Sequence, residues 1–411
     1  MTPPSSPVNH MTPTAERSAI ILSGGGLTAR IMALCLARSS YPFRWFSGEP
    51  GPHHHRRQQD NRTTTIHHAG MTMLSRLGVT DRLRHPVCPI ERICVSDRPA
   101  DMRRGADWPL IWEQTQPPMA QVVLNRDLAS ALDSCLQEQG ISPVETSLAG
   151  IDLQAGPEVT TTDGLKTGCD LVVGCEGSQS LLPQWAGLAA RDQSAGQTAL
   201  VAMLRSEKEV KHTAYQRFLP AGPLALMPVS AHDISLVWTV SDSQAQVLAT
   251  QELHVLDRSV TESFGTELGN LSFTEAPLLW PLKPRYLPRI ATGGLVLAGD
   301  SAHMLHPLAG MGFNLALADA AVLLDCLDEA SARGLGAGHP YVTTGYQKRR
   351  QGEILALTAT TQMLNRLFSR QAGPISALAG IGMGLVGRTV LKDRLKNVAM
   401  GGQLSPAALM N

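Results

Sequence analysis

The sequence predicts an α/β fold in which a nucleotide-binding domain is interrupted by a β-sheet domain. Three observations carry that expectation. A short apolar run, Ala19 to Leu22, passes through three glycines at 24–26 into a helical pattern. A second apolar run, "GLVLAGDSAH" at 294–303, ends in Gly299 and Asp300 and leads through a Gly/Pro turn into a long helix. Between them, residues 197–240 are rich in strand-forming residues. Helical and strand-rich blocks therefore interleave along the chain, with no internal repeat.

Bulk properties narrow the class. The chain has 411 residues, enough for one large or two interlocked domains with a sizeable core. Lys plus Arg and Asp plus Glu both number 35, so no net field draws it to nucleic acid. The seven cysteines form no CxxC pair and read as buried small apolar residues of a reducing compartment. Residues 1–17 are rich in Pro, Ser and Thr and read as a disordered tail rather than a signal peptide. The longest weakly polar stretch, Pro374 to Val386, is too short and glycine-rich to span a bilayer. A cytoplasmic protein is expected, with metal sites absent.

In chain order, a strand at 19–23 precedes a helix at about 27–38, and "FRWF" at 43–46 is a second strand. The loop at 51–62 carries a His triplet, which lacks the carboxylate or Cys partners that would hold a metal. Residues 70–78 read as a short amphipathic helix ended by Gly78. "RICVSD" at 92–97 and "LIWEQ" at 110–114 read as strands. Apolar residues at 124, 128, 132 and 136 lie on one helical face, closed by Gly140. Short strands return from 146 to 175, and the chain from 341 onward is helical, with 353–368 amphipathic.

Two motifs point to chemistry. Strand, Gly24-x-Gly26-x-x-Ala29, helix is the dinucleotide fingerprint in its G/A form. Gly24 permits the turn, Gly26 lets backbone approach a pyrophosphate, and Ala29 lets the helix lie on the sheet. The acid that should end the second strand is missing: that place holds Ser47 or Gly48, with Glu49 just beyond. At the other motif, Asp300 follows a buried strand where open α/β sheets bind ligands. Gly310 and Gly312 then offer N–H groups at the start of the next helix. As a plain alternative, Asp300 is a turn or helix-capping residue.

These residues carry a resemblance. "GDSAHMLHPLAGMGFNLALADA" resembles the GDAAHxxxPxxGQGxNxGxxDA segment of class A flavoprotein monooxygenases. "DLVVGCEGSQS" is similar to their internal DG motif, and "DNRTTTI" and "LNRDLASAL" to their two arginine-bearing segments. "YQRFLPAGPLALMPVSAHDISLVWTV", "WPLKPRYLP" and the "YQKRRQGE" tail resemble the ubiquinone-biosynthesis branch, the 2-polyprenylphenol hydroxylases. The resemblance covers roughly 19–400.

It implies a Rossmann-like FAD-binding domain of the p-hydroxybenzoate-hydroxylase type, built discontinuously from 18–85, 119–185 and 286–345. A β-sheet substrate domain follows from 86–118 and 186–285, then C-terminal helices at 346–400 and a tail at 401–411. It further implies that Gly24, Gly25 and Gly26 hold the FAD pyrophosphate. Gly299 and Asp300 meet the ribityl or pyrophosphate region, and Arg62 and Arg126 contact the cofactor. The loop from Pro307 to Gly312, with Asn314, lies along the isoalloxazine; Gly310 and Gly312 turn backbone dipoles to it, and Pro307 presents its carbonyl near the substrate. The implied reaction hydroxylates the ring of a polyprenylated phenol with O2, taking electrons from NAD(P)H or another donor bound transiently. Implied partners are other ubiquinone-synthesis enzymes and the surface of the inner membrane. His303 and His306 are the nearest acid–base candidates, though a turn histidine more often serves structure.

Several residues depart from the pattern: Ser47 for an acid, Glu176 for Asp, Leu182-Pro183 for Val-Arg, Met311 for Gln, and Arg30 at a position usually small. They keep two alternatives open, a class A hydroxylase of a soluble aromatic compound and a non-catalytic paralogue that scaffolds quinone intermediates.

Overall fold

The computed structural model describes residues 18–48, 61–97, 108–192, 196–283, 285–304, 311–368 and 407–410. The expected tail at 1–17 lies outside them.

Four sheets organise the chain. The first contains β1 (Ser18–Ser23), β2 (Phe43–Phe46), β8 (Leu148–Asp152), β9 (Glu158–Thr161), β10 (Lys166–Gly174), β19 (Ala291–Thr292) and β20 (Leu295–Leu297), in the order β19-β20-β10-β1-β2 with β9 and β8 extending β10. β1, β2, β10 and β20 run parallel. Ile20, Ile21 and Leu22 are all fully buried, because both faces of a parallel sheet are covered and a continuous apolar run suits such a strand. Helices α1 (Leu27–Leu36), α3 (Asn125–Glu138) and α7 (Met311–Ser331) contribute to its core through Ile31, Leu34, Leu128, Leu132, Leu317 and Leu323.

The second large sheet contains β5 (Arg92–Ser96), β6 (Leu110–Glu113), β12 (Gln197–Ser206), β13 (Thr213–Leu219), β14 (Gly222–Pro228), β15 (Asp233–Ser241), β16 (Leu271–Phe273) and β17 (Leu278–Pro281). Its order is β16-β12-β15-β14-β13-β5-β6, and β17 also pairs with β12. Alternation separates two faces. Leu200, Leu204, Leu226 and Leu236 point to one face, where Leu256, Val260 and Phe264 of α6 (Leu253–Phe264) complete a core. Ser241, at the N-terminus of α5 (Asp242–Leu248), forms a capping box with Gln244.

A small sheet, β3 (Thr63–His67), β7 (Ala120–Leu124) and β4 (Cys88–Ile90), joins the two systems. Its Ala120 and Val122 form a third cluster with Ala214 and Phe218 of β13. Helix α2 (His68–Arg76) follows β3 directly, and α4 (Leu182–Trp185) is a single turn after β10. β11 (Arg191–Asp192), β18 (Arg285–Tyr286) and β21 (His303–Met304) make a short third ribbon.

Two expectations at the C-terminus need correction. Helix α8 (Pro340–Phe368) is continuous, so the boundary placed at 345/346 falls inside it. Its Tyr346 and Ile354 are buried in the first core, which makes this part of the helix integral to the nucleotide domain. The segment 401–411 is not wholly a tail either. Ala407, Leu409 and Met410 are buried in the same core, while the Arg76 guanidinium donates to the Ala408 carbonyl and the Ala408 N–H to Asp325. Apolar side chains and two hydrogen bonds hold this turn down. Residues 369–406, and with them most of the expected C-terminal helices, lie outside the described residues.

Candidate cofactor and substrate site

The glycine turn sits at the carboxyl end of β1, and its three glycines differ physically. Gly24 has φ +132°, and a Cβ there would lie 2.2 Å from the Cys175 carbonyl oxygen. A Cβ on Gly25 would lie 2.5 Å from the Ser47 carbonyl oxygen. Close backbone contact thus excludes side chains at both. Gly26, the N-cap of α1, has an ordinary extended conformation (φ −86°, ψ −175°), and its Cβ would meet nothing within 4 Å. No side chain caps α1. An open cradle faces the N–H groups of a helix start, with the helix dipole behind it, and this suits a pyrophosphate. The Trp45 indole N–H donates to the Gly24 carbonyl at 2.7 Å and fixes the turn from the next strand.

The departures from the family pattern find concrete places. Arg30 braces the glycine turn: its guanidinium donates to the Gly25 carbonyl and pairs with Asp133 of α3 at 2.6 Å. Glu176 accepts from Ser23 at 2.6 Å and from Ser180 at 2.7 Å, so it ties the ends of β1 and β10 together. Ser47 is the first residue after β2, and its hydroxyl donates to the Gly48 carbonyl at 3.2 Å. Glu49 lies outside the described residues.

The second motif forms a 3-10 turn, Gly299–Ser301. Gly299 has φ +59°, and a Cβ there would lie 2.8 Å from the Thr28 hydroxyl of α1, so the two motifs meet backbone to helix. Asp300 is exposed beside them and accepts no hydrogen bond among the described residues. Neighbouring protein atoms crowd its carboxyl and raise its pKa, with His303 opposing the shift. The glycine cradle, the α1 N-terminus and Asp300 therefore share one end of the parallel sheet, and these residues fit FAD.

Beneath that turn lies a network that the motifs did not reveal. Asp319 of α7 accepts the Gly299 N–H at 2.8 Å, His303 Nε2–H at 2.7 Å and Arg350 Nε–H at 2.7 Å. Arg350 also donates to the Leu315 carbonyl and to Glu353. All three members are fully buried. Burial pushes the Asp319 carboxyl up, but His303, Arg350 and the Gly299 N–H together hold it below the usual carboxylate range. The sequence signals were an Asp in an otherwise apolar helix, "NLALADAAVLL", and an Arg one helix later. His303 is thus a structural brace through Nε2.

Asn314 is tied to β3: Oδ1 accepts the His67 N–H at 2.9 Å and Nδ2 donates to the Thr65 carbonyl at 2.8 Å. It clamps the start of α7 to β3 and acts as a positioning residue. Gly312, in the first turn of α7, faces open space, as a Cβ there would meet nothing within 4 Å. Pro307, His306 and Gly310 lie outside the described residues.

Arg62 and Arg126 converge at the seam between the nucleotide domain and the second sheet. Arg126 donates to Asn61 at 2.8 Å, Asn61 donates to Glu275 at 2.9 Å, and the Arg62 guanidinium lies 5.9 Å from the Trp280 ring centre. Thr63 donates to Ser235 at 2.7 Å across the same seam. The sheet face turned to it presents Ala199, Val201, Met203, Val237, Leu278 and Trp280, placed together by the pairings of β12 with β15 and β17. Val201, Met203 and Val237 are partly accessible, and Leu278 and Trp280 are 49% and 51% exposed. Among the described residues, no helix is long and apolar enough to cross a membrane, and no His, Cys, Asp and Glu side chains group as metal ligands.

Known proteins resemble this chain in sequence and in fold. Residues 52–351 match the FAD binding domain family. The chain is 32% identical over 409 residues to the ubiquinone hydroxylase UbiL of Rhodospirillum rubrum, covering 97% of this chain and 93% of that one. It is 27% identical over 406 residues to the 3-demethoxyubiquinol 3-hydroxylase of Escherichia coli, covering 94% and 100%. The solved structure of p-nitrophenol 4-monooxygenase PnpA from Pseudomonas putida superimposes with a TM-score of 0.74 at 13% identity over 94% of this chain and 98% of that one.

Proposed function

Because the chain belongs to the FAD binding domain family and is an FAD-dependent hydroxylase of the class A type, we propose that it hydroxylates the ring of a polyprenylated phenol in ubiquinone biosynthesis. One observation carries the substrate class. The seam-facing side of the second sheet is mainly apolar and uncharged: Ala199, Val201, Met203, Val237, Leu278 and Trp280 lie on it, with Ser235 and Thr239 as neutral polar residues among them. The ion pair Arg205–Asp233 lies at the far end of these strands, and Arg62 is stacked on Trp280. Arg62, at the edge of this face beside Trp280, is its nearest cation, and an alkylated phenol gains from burying its chain against the apolar residues between that edge and the far ion pair.

Bound FAD, once reduced, would supply the activation of O2; the chain does the rest. Gly26 and the α1 N-terminus would seat the pyrophosphate, with Gly24 and Gly25 as the tight turn beneath it. Asp300 would accept cofactor hydroxyls, while Asp319, His303 and Arg350 hold its turn in place. Arg62 and Arg126 would face the cofactor from the seam, and the N-terminus of α7 at Gly312 would offer its dipole. The apolar sheet face would orient the substrate ring and exclude water. By the family resemblance, Gly310 would turn its backbone dipole to the flavin and Pro307 would present its carbonyl near the phenol. NAD(P)H or another donor would deliver electrons in a transient encounter, and the exposed apolar strand β17 is compatible with substrate delivered from a membrane surface or a partner enzyme.

The decisive experiment deletes the gene and identifies the quinone precursors that accumulate. A prenylated phenol lacking one ring hydroxyl supports the reading. An unchanged quinone profile, together with purified protein that oxidises no donor in response to alkylphenols, overturns it.

A further inference from the structure

We propose that His67 selects the phenol substrate, its Nδ1 accepting a hydrogen bond from the phenolic O–H. The inference rests on the substrate class proposed above and adds the group that recognises the hydroxyl.

The argument begins with β3. Alternation places Thr63, Thr65 and His67 on one face of that strand. The face looks toward the second sheet, since Thr63 bonds Ser235, and Val122 and Ala120, the cross-strand partners of Thr65 and His67, cluster with Ala214 and Phe218. His67 closes the strand, and its backbone N–H is held by Asn314 at the head of α7. The imidazole therefore belongs to the junction of β3, α7 and the second sheet, the seam assigned to substrate and flavin.

His67 is 2% exposed, and among the described residues its Nδ1 is buried without a hydrogen-bond partner. Buried polar side-chain atoms in native proteins nearly always have one, so an orphan marks a place reserved for a ligand or a water. Burial lowers the pKa of the ring to about 4, which keeps it neutral near pH 7. With its proton on Nε2, a neutral imidazole is an acceptor at Nδ1. It is too weak a base to take the proton of a phenol, whose pKa is about 10. What it can do is fix the O–H direction, and with it the rotation of the ring. A substrate without a free hydroxyl would leave Nδ1 unsatisfied and be disfavoured.

The test uses the FAD-loaded full chain and two probes, 2-octylphenol and its methyl ether, with binding followed by the visible absorbance of the flavin. The wild-type protein should bind the phenol roughly 3- to 10-fold more tightly than the ether, the usual range for one neutral hydrogen bond. His67→Phe should erase that preference while leaving ether affinity within about twofold. His67→Gln, which keeps an acceptor, should retain part of it. In parallel, the Nδ1 resonance of His67 in 15N-histidine-labelled wild-type protein should shift with the phenol and not with the ether, a readout that needs no variant to fold. A preference that survives both substitutions, or a resonance that ignores the phenol, assigns Nδ1 to water and overturns the inference. Equal wild-type affinity for the two probes also overturns it, with the substrate class intact. Binding of neither probe removes the substrate reading itself.

Discussion

Gly26→Val separates the space a side chain would fill from the fold around it. The backbone there is extended, and a Cβ meets nothing within 4 Å, so the isopropyl group has room in the cofactor-free protein. Replacing an N-cap glycine by valine costs up to about 1 kcal/mol. The lost freedom of glycine in the unfolded chain returns about 0.4–1 kcal/mol. The net change in stability should stay within about 1 kcal/mol, a shift in Tm of no more than roughly 2–4 °C. The cofactor is affected differently. The side chain occupies the approach to the α1 N–H groups, and losing two charge-assisted hydrogen bonds removes about 3–6 kcal/mol of binding. FAD affinity should therefore fall by roughly a hundredfold or more. Thermal unfolding of the apoprotein and fluorescence titration with FAD measure the two halves separately. Gly24→Val is the contrast: its Cβ would collide with Cys175, so that variant should fail to fold. Stoichiometric FAD on purified Gly26→Val would place the phosphate seat elsewhere. A Gly26→Val protein as unstable as Gly24→Val would refute the open cradle.

Other outcomes follow from the same geometry. Asp300→Ala should weaken FAD by about 1.5–3 kcal/mol, measured by the same titration, since charged hydrogen bonds are of that size; unchanged affinity would reduce Asp300 to a turn residue. Ser47→Glu should tighten FAD by about the same amount; if it does not and Glu49→Gln loosens the cofactor, the ribose partner is Glu49. Arg350→Met should cost about 3–5 kcal/mol of stability in denaturant unfolding, because it leaves Asp319 buried with one cation fewer. His67 gives a pH signature: its folded pKa, about 4, lies below the unfolded value of about 6.5. The unfolded chain then binds a proton that the folded chain refuses. Stability is complete above about pH 6.5 and declines by about 3 kcal/mol as the pH falls toward 4, and His67→Gln should flatten the Tm profile in that window.

Local features were legible in the sequence. "FRWF" is β2 residue for residue, and the helix expected near Gly312 starts at Met311. Gly24 and Gly26 occupy the turn their spacing required, because a strand-turn-helix is specified by neighbours in the chain. What could not be read depended on distant partners. Asp319 is 16 residues from His303 and 31 from Arg350, so its role as a shared acceptor appears only when α7, α8 and the 299–303 turn come together. Nor did the sequence signal that the Asn314 amide closes on the backbone of β3, some 250 residues earlier in the chain. The 345/346 boundary failed for the same reason: amphipathic periodicity marks a helix but not which core its buried side reaches.

The interleaving of the first sheet bears on biosynthesis. β1, which carries the glycine turn, lies between β2 and β10, while β20 and the brace from Arg350 come from much later in the chain. At about 5–20 residues per second, a ribosome needs roughly 20–70 s to pass from the fingerprint to that arginine. For most of this interval the first sheet lacks β20 and the turn that displays Asp300, and α8, which carries the brace, is made last. Flavin capture is therefore a late event, and a nascent chain stalled before Arg350 should bind chaperones rather than cofactor.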